Sequence, residues 1–227
     1  RGSNRGRKLD MVAFDSCMAA TVEALYEMRD SIGWLAGTES LMPGEGLHYR
    51  SLAQALDAAS PPSPPELGEI LARSFISRAE AGNVMAVFGS EHAEELAAAC
   101  SRMARELHAA GREAGRLTLH RRVKMDNHGW DLESIARAAL SPQGPLREVS
   151  NGPALEAAAR KLLEAFKLCR SSLRRSGALA SSSVGGLSIQ WPEAGDYKQY
   201  LKFYKSTAFA RATLWDEFLD WRELGLE

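Results

Sequence analysis

Long apolar runs, paired cysteines and an excess of charge of either sign are all missing from this sequence. Each absence narrows what the chain can be. No stretch approaches the roughly 20 apolar residues of a membrane-spanning helix. Cysteine occurs three times, at Cys17, Cys100 and Cys169, which allows one disulfide at most and rules out a disulfide scaffold. No two of these cysteines have zinc-ligand spacing, and neither a phosphate-binding Gly-rich loop nor a Gly-x-Ser-x-Gly elbow occurs, so no metal or nucleotide cofactor is called for. The 28 Lys and Arg nearly balance the 29 Asp and Glu, for a net charge of -1. Nothing global therefore draws the chain to nucleic acid or to an anionic membrane. There is no internal repeat. The 227 residues are 45% hydrophobic and 25% charged, the composition of an ordinary globular chain long enough to bury a sizeable core.

The stretch that organises the rest lies near the start. Leu9 to Phe14 is mostly apolar, as a strand buried on both faces of a parallel sheet would be. Asp15 and Ser16 break the run and Cys17 follows. From Met18 the apolar positions recur at helical spacing through Val22, Leu25, Met28 and Ile32. This puts Cys17 at the carboxyl end of a strand, in front of a helix. Ligands bind at that edge of open α/β sheets, and a helix N-terminus favours the thiolate, the reactive form of cysteine. The bland alternative is that Cys17 packs as a small hydrophobe. Cys100 and Cys169 lie in helical patterns and read as packing residues.

Gly33 to Thr38 is a second short apolar run, and Pro43-Gly44-Glu45-Gly46 has strong turn chemistry. Strand, helix and strand make a right-handed parallel crossover, which brings the loop with Glu45 to the edge that carries Cys17. Asp15 stands two residues before the cysteine. Two carboxylates beside one pocket suit a cationic side chain, above all a guanidinium. In the plainer alternative Asp15 caps the helix after Cys17 and Glu45 is merely solvated.

Downstream, helices are expected over Tyr49–Ala59 and Glu66–Ala81, separated by the stiff run Ser60-Pro61-Pro62-Ser63-Pro64-Pro65. Val84–Gly89 reads as a third strand, and Ser90 as the N-cap of a helix running to about Gly111. Arg121, Arg122 and Lys124 form a basic cluster, the usual mark of a solvated face. Further helices are expected over Leu132–Leu140, with Asp131 near the cap, and over Ala154–Leu173. Ser171–Gly186 reads as a loop, Leu187–Trp191 as a late strand stopped by Pro192, and the aromatic stripe from Tyr197 to Trp221 as helices closing one side of the domain. The organisation is then a flexible basic segment, Arg1–Lys8, ahead of one domain over residues 9–227 whose C-terminal helical region begins near 197.

Three segments carry a resemblance. Phe14-Asp15-Ser16-Cys17-Met18-Ala19-Ala20-Thr21-Val22-Glu23 resembles the nucleophile segment of the clostripain family of cysteine peptidases. Leu35 to Tyr49, with its Pro43-Gly44-Glu45-Gly46 loop, is similar to the strand and loop that follow in that family. Gly186 to Pro192 is similar to its late strand. The resemblance implies an α/β, caspase-like three-layer sandwich with a mainly parallel sheet, related to caspases, legumains and gingipains. This chain would be the C-terminal, nucleophile-bearing portion. It implies a cysteine endopeptidase, made as a zymogen, that cuts polypeptides after Arg or Lys: Cys17 as nucleophile, Asp15 and Glu45 binding the basic side chain.

The family's catalytic His stands in a His-Gly context before the cysteine. His128-Gly129 has that dipeptide, but follows Cys17, and motif pieces do not transfer out of order. The resemblance therefore implies a light-chain-like N-terminal fragment that supplies the His, with Arg1–Lys8 as a site of autoprocessing. The residues call for no cofactor, although the resemblance allows calcium. It points towards secretion, whereas free thiols also suit the cytoplasm. The alternative from another class is a non-catalytic caspase-like binding or scaffold module; a third is a small-molecule α/β enzyme with an incidental cysteine.

Overall fold

A computed structural model describes residues 7–57, 60–77, 82–111, 129–141, 149–180, 182–192 and 197–224. The basic segment up to residue 6, the basic cluster at 121–124 and His128 lie outside these residues.

The first unit is the expected crossover. Strand β1 (Leu9–Ala13) and strand β2 (Ile32–Gly37) pair in parallel, Leu9 opposite Ile32 and Ala13 opposite Ala36, joined by helix α1 (Val22–Met28). Helices α2 (Tyr49–Leu56) and α3 (Pro64–Ile76) follow, then strand β3 (Val84–Gly89), helix α4 (Ala93–Ala109), strand β4 (Gly129–Asp131) and helices α5 (Leu132–Leu140) and α6 (Gly152–Cys169). Strands β5 (Arg170–Arg175) and β6 (Ser188–Gln190) and helices α7 (Tyr197–Tyr204), α8 (Ala208–Ala212) and α9 (Trp215–Leu224) complete the order.

The main sheet runs β1-β2-β3-β5. Only β1 and β2 are parallel within it; β3 is antiparallel to both β2 and β5. The sheet is thus mixed rather than mainly parallel. The chain reaches β3 through α2 and α3 and enters it from the opposite end.

Period-two alternation assigns the two faces. On β3, Ala86 and Phe88 join Leu35 in a core shared with α1, α4, α5 and α6. Met85 and Val87 join Ala36 in a second core under α3, with Leu71 and Phe75. Every residue of β3 is buried, as expected of a central strand covered by helices on both faces. Each such large apolar side chain contributes about 1.5–3 kcal/mol. On the α1 side, Trp130 stacks on Trp191 at 4.7 Å, and Trp215 and Phe218 meet Trp191 edge-on. Much of the C-terminal aromatic stripe is therefore core, although Tyr200 and Phe203 stay exposed.

Four further expectations are corrected. β1 is not buried on both faces: among the described residues it lies at the edge of the sheet, and Leu9 is 51% exposed. Arg170–Arg175, read as helix end and loop, is a strand, at the opposite edge of the sheet among the described residues. Its polar sequence hides it, because Ser172 and Arg174 reach across to Glu69 of α3 while Arg170 pairs with Glu133 of α5. Charged edges of this kind also resist pairing with other chains. Ser90 is not the cap of α4; its hydroxyl donates to the Ile32 carbonyl at 2.6 Å and ties the start of β2 to the end of β3. Finally, α1 begins at Val22 rather than Met18, capped by Thr21, whose hydroxyl accepts the Ala24 N–H at 3.1 Å.

Candidate active site

The delayed start of α1 leaves Phe14 to Ala20 as an extended turn laid against the end of β2. Phe14 N–H donates to Ala36 O at 2.9 Å, Met18 N–H to Ser40 O at 3.0 Å and Ala20 N–H to Thr38 O at 3.1 Å. Cys17 stands at the crest of this turn and is exposed. Met18, directly after it, has φ of 53°, a left-handed conformation rare for residues other than glycine. Because four residues separate Cys17 from α1, the helix dipole, which falls off within the first turn, does not act on the thiol as expected. The partner of Sγ among the described residues is the Met42 backbone instead. Sγ accepts the Met42 N–H at 3.2 Å and lies 3.9 Å from the Met42 carbonyl oxygen.

The other two cysteines differ in kind. Cys100 and Cys169 are free and buried. Burial pushes the Cys100 thiol well above its ordinary value, and that of Cys169 up to about 12. Both stay protonated, as inert core residues do.

The loop after Met42 closes on Asp15. The Asp15 carboxylate accepts the Leu47 N–H through Oδ1 at 3.0 Å and the Tyr49 hydroxyl through Oδ2 at 2.5 Å. Asp15 therefore does not cap α1, which Thr21 does. Gly46 makes the wrap possible. Its φ is +64°, and a Cβ there would stand 2.5 Å from both Asp15 oxygens. Glu45, the neighbouring residue, is exposed. The structure thus brings Cys17, Asp15 and the Glu45 loop to one edge of the sheet.

Behind this edge lies a buried acidic layer that periodicity did not reveal. Glu39 and Asp131 are both fully buried. Glu39 Oε1 accepts the Gly186 N–H at 2.8 Å; Asp131 caps α5, accepting the Ser134 N–H at 2.7 Å, and also accepts the Gly185 N–H at 2.8 Å. Burial raises both carboxyls, Glu39 well above its ordinary value with the Asp131 charge adding to the effect. Glu133, next in the layer, is neutralised by Arg137, whose Nε donates at 2.8 Å, and by Arg170. Glu23 of α1 accepts the Gln190 N–H at 2.9 Å and the Tyr204 hydroxyl at 3.0 Å, and burial raises its carboxyl to about 7.

The described histidines are engaged elsewhere. His48 Nδ1 lies 2.5 Å from Ser51 Oγ, His92 Nδ1 3.5 Å from Glu95, and His108 packs on Trp221. No group of three or more metal-ligating side chains occurs among the described residues. Nor is any helix there long and apolar enough to cross a membrane.

Residues 3–150 match the sequence profile of the clostripain family, Peptidase_C11. No curated protein sequence matches the chain. Among solved structures, a cysteine protease from B. fragilis is 19% identical with a TM-score of 0.64, over 92% of this chain and 90% of that one. A clostripain from Bacteroides thetaiotaomicron ATCC 29148, in complex with the peptide inhibitor BTN-VLTK-AOMK, is 17% identical with a TM-score of 0.64, over 93% and 90%. An inactive zymogen C11 protease from Parabacteroides distasonis is 14% identical with a TM-score of 0.63, over 91% of this chain and 59% of that one. At these identities the likeness is one of fold.

Proposed function

The chain belongs to the clostripain family of cysteine peptidases, and on that premise we propose that it is the nucleophile-bearing part of an endopeptidase that cuts polypeptides after Arg or Lys. The observation that carries this reading is the pairing of an exposed thiol, Cys17, with a carboxylate two residues away, Asp15, while the other thiols are buried. Cys17 Sγ attacks the scissile carbonyl, and the Met42 N–H that donates to Sγ holds it in place on the turn. The Cys17 N–H has no acceptor among the described residues and serves as one donor to the oxyanion. Asp15 and Glu45 receive the basic P1 side chain. The Lys that ends the VLTK stretch of the inhibitor bound to the Bacteroides thetaiotaomicron clostripain is consistent with such a pocket.

The catalytic His comes, in this reading, from a light-chain-like partner. Support lies in the contrast between the two edges of the sheet. β5 is guarded by Arg170, Arg174 and Arg175, whereas β1 presents Leu9, Met11 and Val12 partly exposed along an edge with no strand beside it among the described residues. An apolar edge of this kind is a template for another strand. A strand there would end beside Cys17, where a His is needed as acid and base.

The test is an active-site-directed thiol label in two forms, one with Arg at the position before the electrophile and one with Leu. The expected result is selective modification of Cys17 by the Arg form, abolished in Cys17→Ala, together with loss of amide cleavage by several orders of magnitude in that variant. Cleavage within a few-fold of the parent would refute the nucleophile; preference for Leu would refute the pocket.

A further inference from the structure

The reaction as proposed leaves one exposed side chain of the site without a task. Tyr49, the first residue of α2, is 56% exposed, yet its hydroxyl donates to Asp15 Oδ2 at 2.5 Å. The ring belongs to neither of the two cores. Its phenol is held above its ordinary value by the hydrogen bond to Asp15. It therefore remains protonated, and a donor, throughout the neutral range.

We infer that Tyr49 is a specificity-positioning residue: its hydroxyl and the Leu47 N–H clamp the Asp15 carboxylate from the loop side and present its remaining lone pairs to the P1 cation. The inference rests on the P1 reading above. A carboxylate offers about four acceptor sites, and the clamp uses one on each oxygen. The remaining sites suit a forked guanidinium or an ammonium. Without the phenol, Asp15 is held by a single bond, and its carboxylate is free to rotate about χ2. The same clamp holds the loop: Tyr49 on one side and the close approach of Gly46 on the other keep the backbone of Glu45 beside Asp15. Tyr49 thus acts through both acids without touching the scissile bond.

The experiment uses the full precursor, expressed and allowed to process, with P1-Arg, P1-Lys and P1-Leu amides. Tyr49→Phe removes the hydroxyl and keeps the ring. The expected result is a rise in KM of roughly tenfold for the Arg and Lys amides, the size of one lost hydrogen bond to a charged group. kcat should move by less than about threefold, since a positioning residue acts on binding. A merely structural role would instead lower the titre of active sites, and with it kcat, leaving KM unchanged. Asp15→Asn and the double variant close the argument. If Tyr49 works through Asp15, adding Tyr49→Phe to Asp15→Asn costs little more, the non-additivity of groups that act as a unit. A parent enzyme that prefers basic P1 while Tyr49→Phe leaves its KM unchanged, or fully additive effects, would overturn the inference alone. A parent that prefers Leu would overturn the P1 reading, and the inference with it.

Discussion

Replacing Glu23 by Gln should make this protein less sensitive to alkali. Glu23 is 8% exposed, and its carboxyl joins α1 to the Gln190 backbone and to Tyr204 of α7. Burial raises it from 4.5 to about 7, so the folded chain holds this proton more tightly than the unfolded chain does. The associated stability is complete below the unfolded value and is lost as pH rises through the folded one. At about 1.4 kcal/mol per pH unit separating the two, the loss comes to about 3 kcal/mol between pH 4 and pH 8. Glutamine resembles the protonated acid and still accepts from Gln190 and Tyr204 through its carbonyl oxygen, so the variant does not pay this penalty. Glu39 and Asp131 titrate in the same direction, but they are common to both proteins and cancel in the comparison. Urea denaturation of parent and Glu23→Gln from pH 5 to pH 8.5 provides the measurement. The two should agree within about 1 kcal/mol at pH 5, and the variant should be more stable by about 2–3 kcal/mol at pH 8. Parallel profiles, or an advantage that shrinks as pH rises, would refute the assignment of a buried, proton-holding carboxyl.

Two further results are expected from the proposed pocket and its activation. Glu45→Ala should lower kcat/KM for Arg and Lys amides by roughly tenfold, with little gain for apolar ones, and Glu45→Lys should be worse because it sets like charges together; a P1 library that ranks substrates identically in parent and variants would count against Glu45. The full precursor carrying Cys17→Ala should run as one chain on a denaturing gel, where the parent runs as two, and mass spectrometry should place the parent's cut within the basic segment that holds Arg1, Arg5, Arg7 and Lys8; a purified variant that still splits there would assign the cut to another enzyme.

What was readable in the sequence is what local pattern encodes. The apolar runs at Leu9–Phe14, Gly33–Thr38 and Val84–Gly89 mark three strands to within a residue or so, because burial imposes a period or a run on adjacent residues. The helices of the middle and the aromatic packing of the tail followed in the same way. Turn chemistry at Pro43–Gly46 and the Asp15-Ser16-Cys17 break marked the two loops that form the edge of the sheet. Strand β5 was invisible because the partners that neutralise its polar side chains, Glu69 and Glu133, stand 105 and 37 residues away from Arg174 and Arg170. α1 starts later than the pattern places it because Met18, apolar and correctly spaced for a helix, takes a left-handed turn bonded to the far end of β2, through Met18 N–H to Ser40 and Ala20 N–H to Thr38. The clamp of Tyr49 on Asp15 joins residues 34 apart, and the Glu39–Asp131 pair joins two acids that no local pattern connects. Such contacts arise from two loops meeting at one sheet edge. Their energies depend on burial and distance, and these are properties of the folded chain alone.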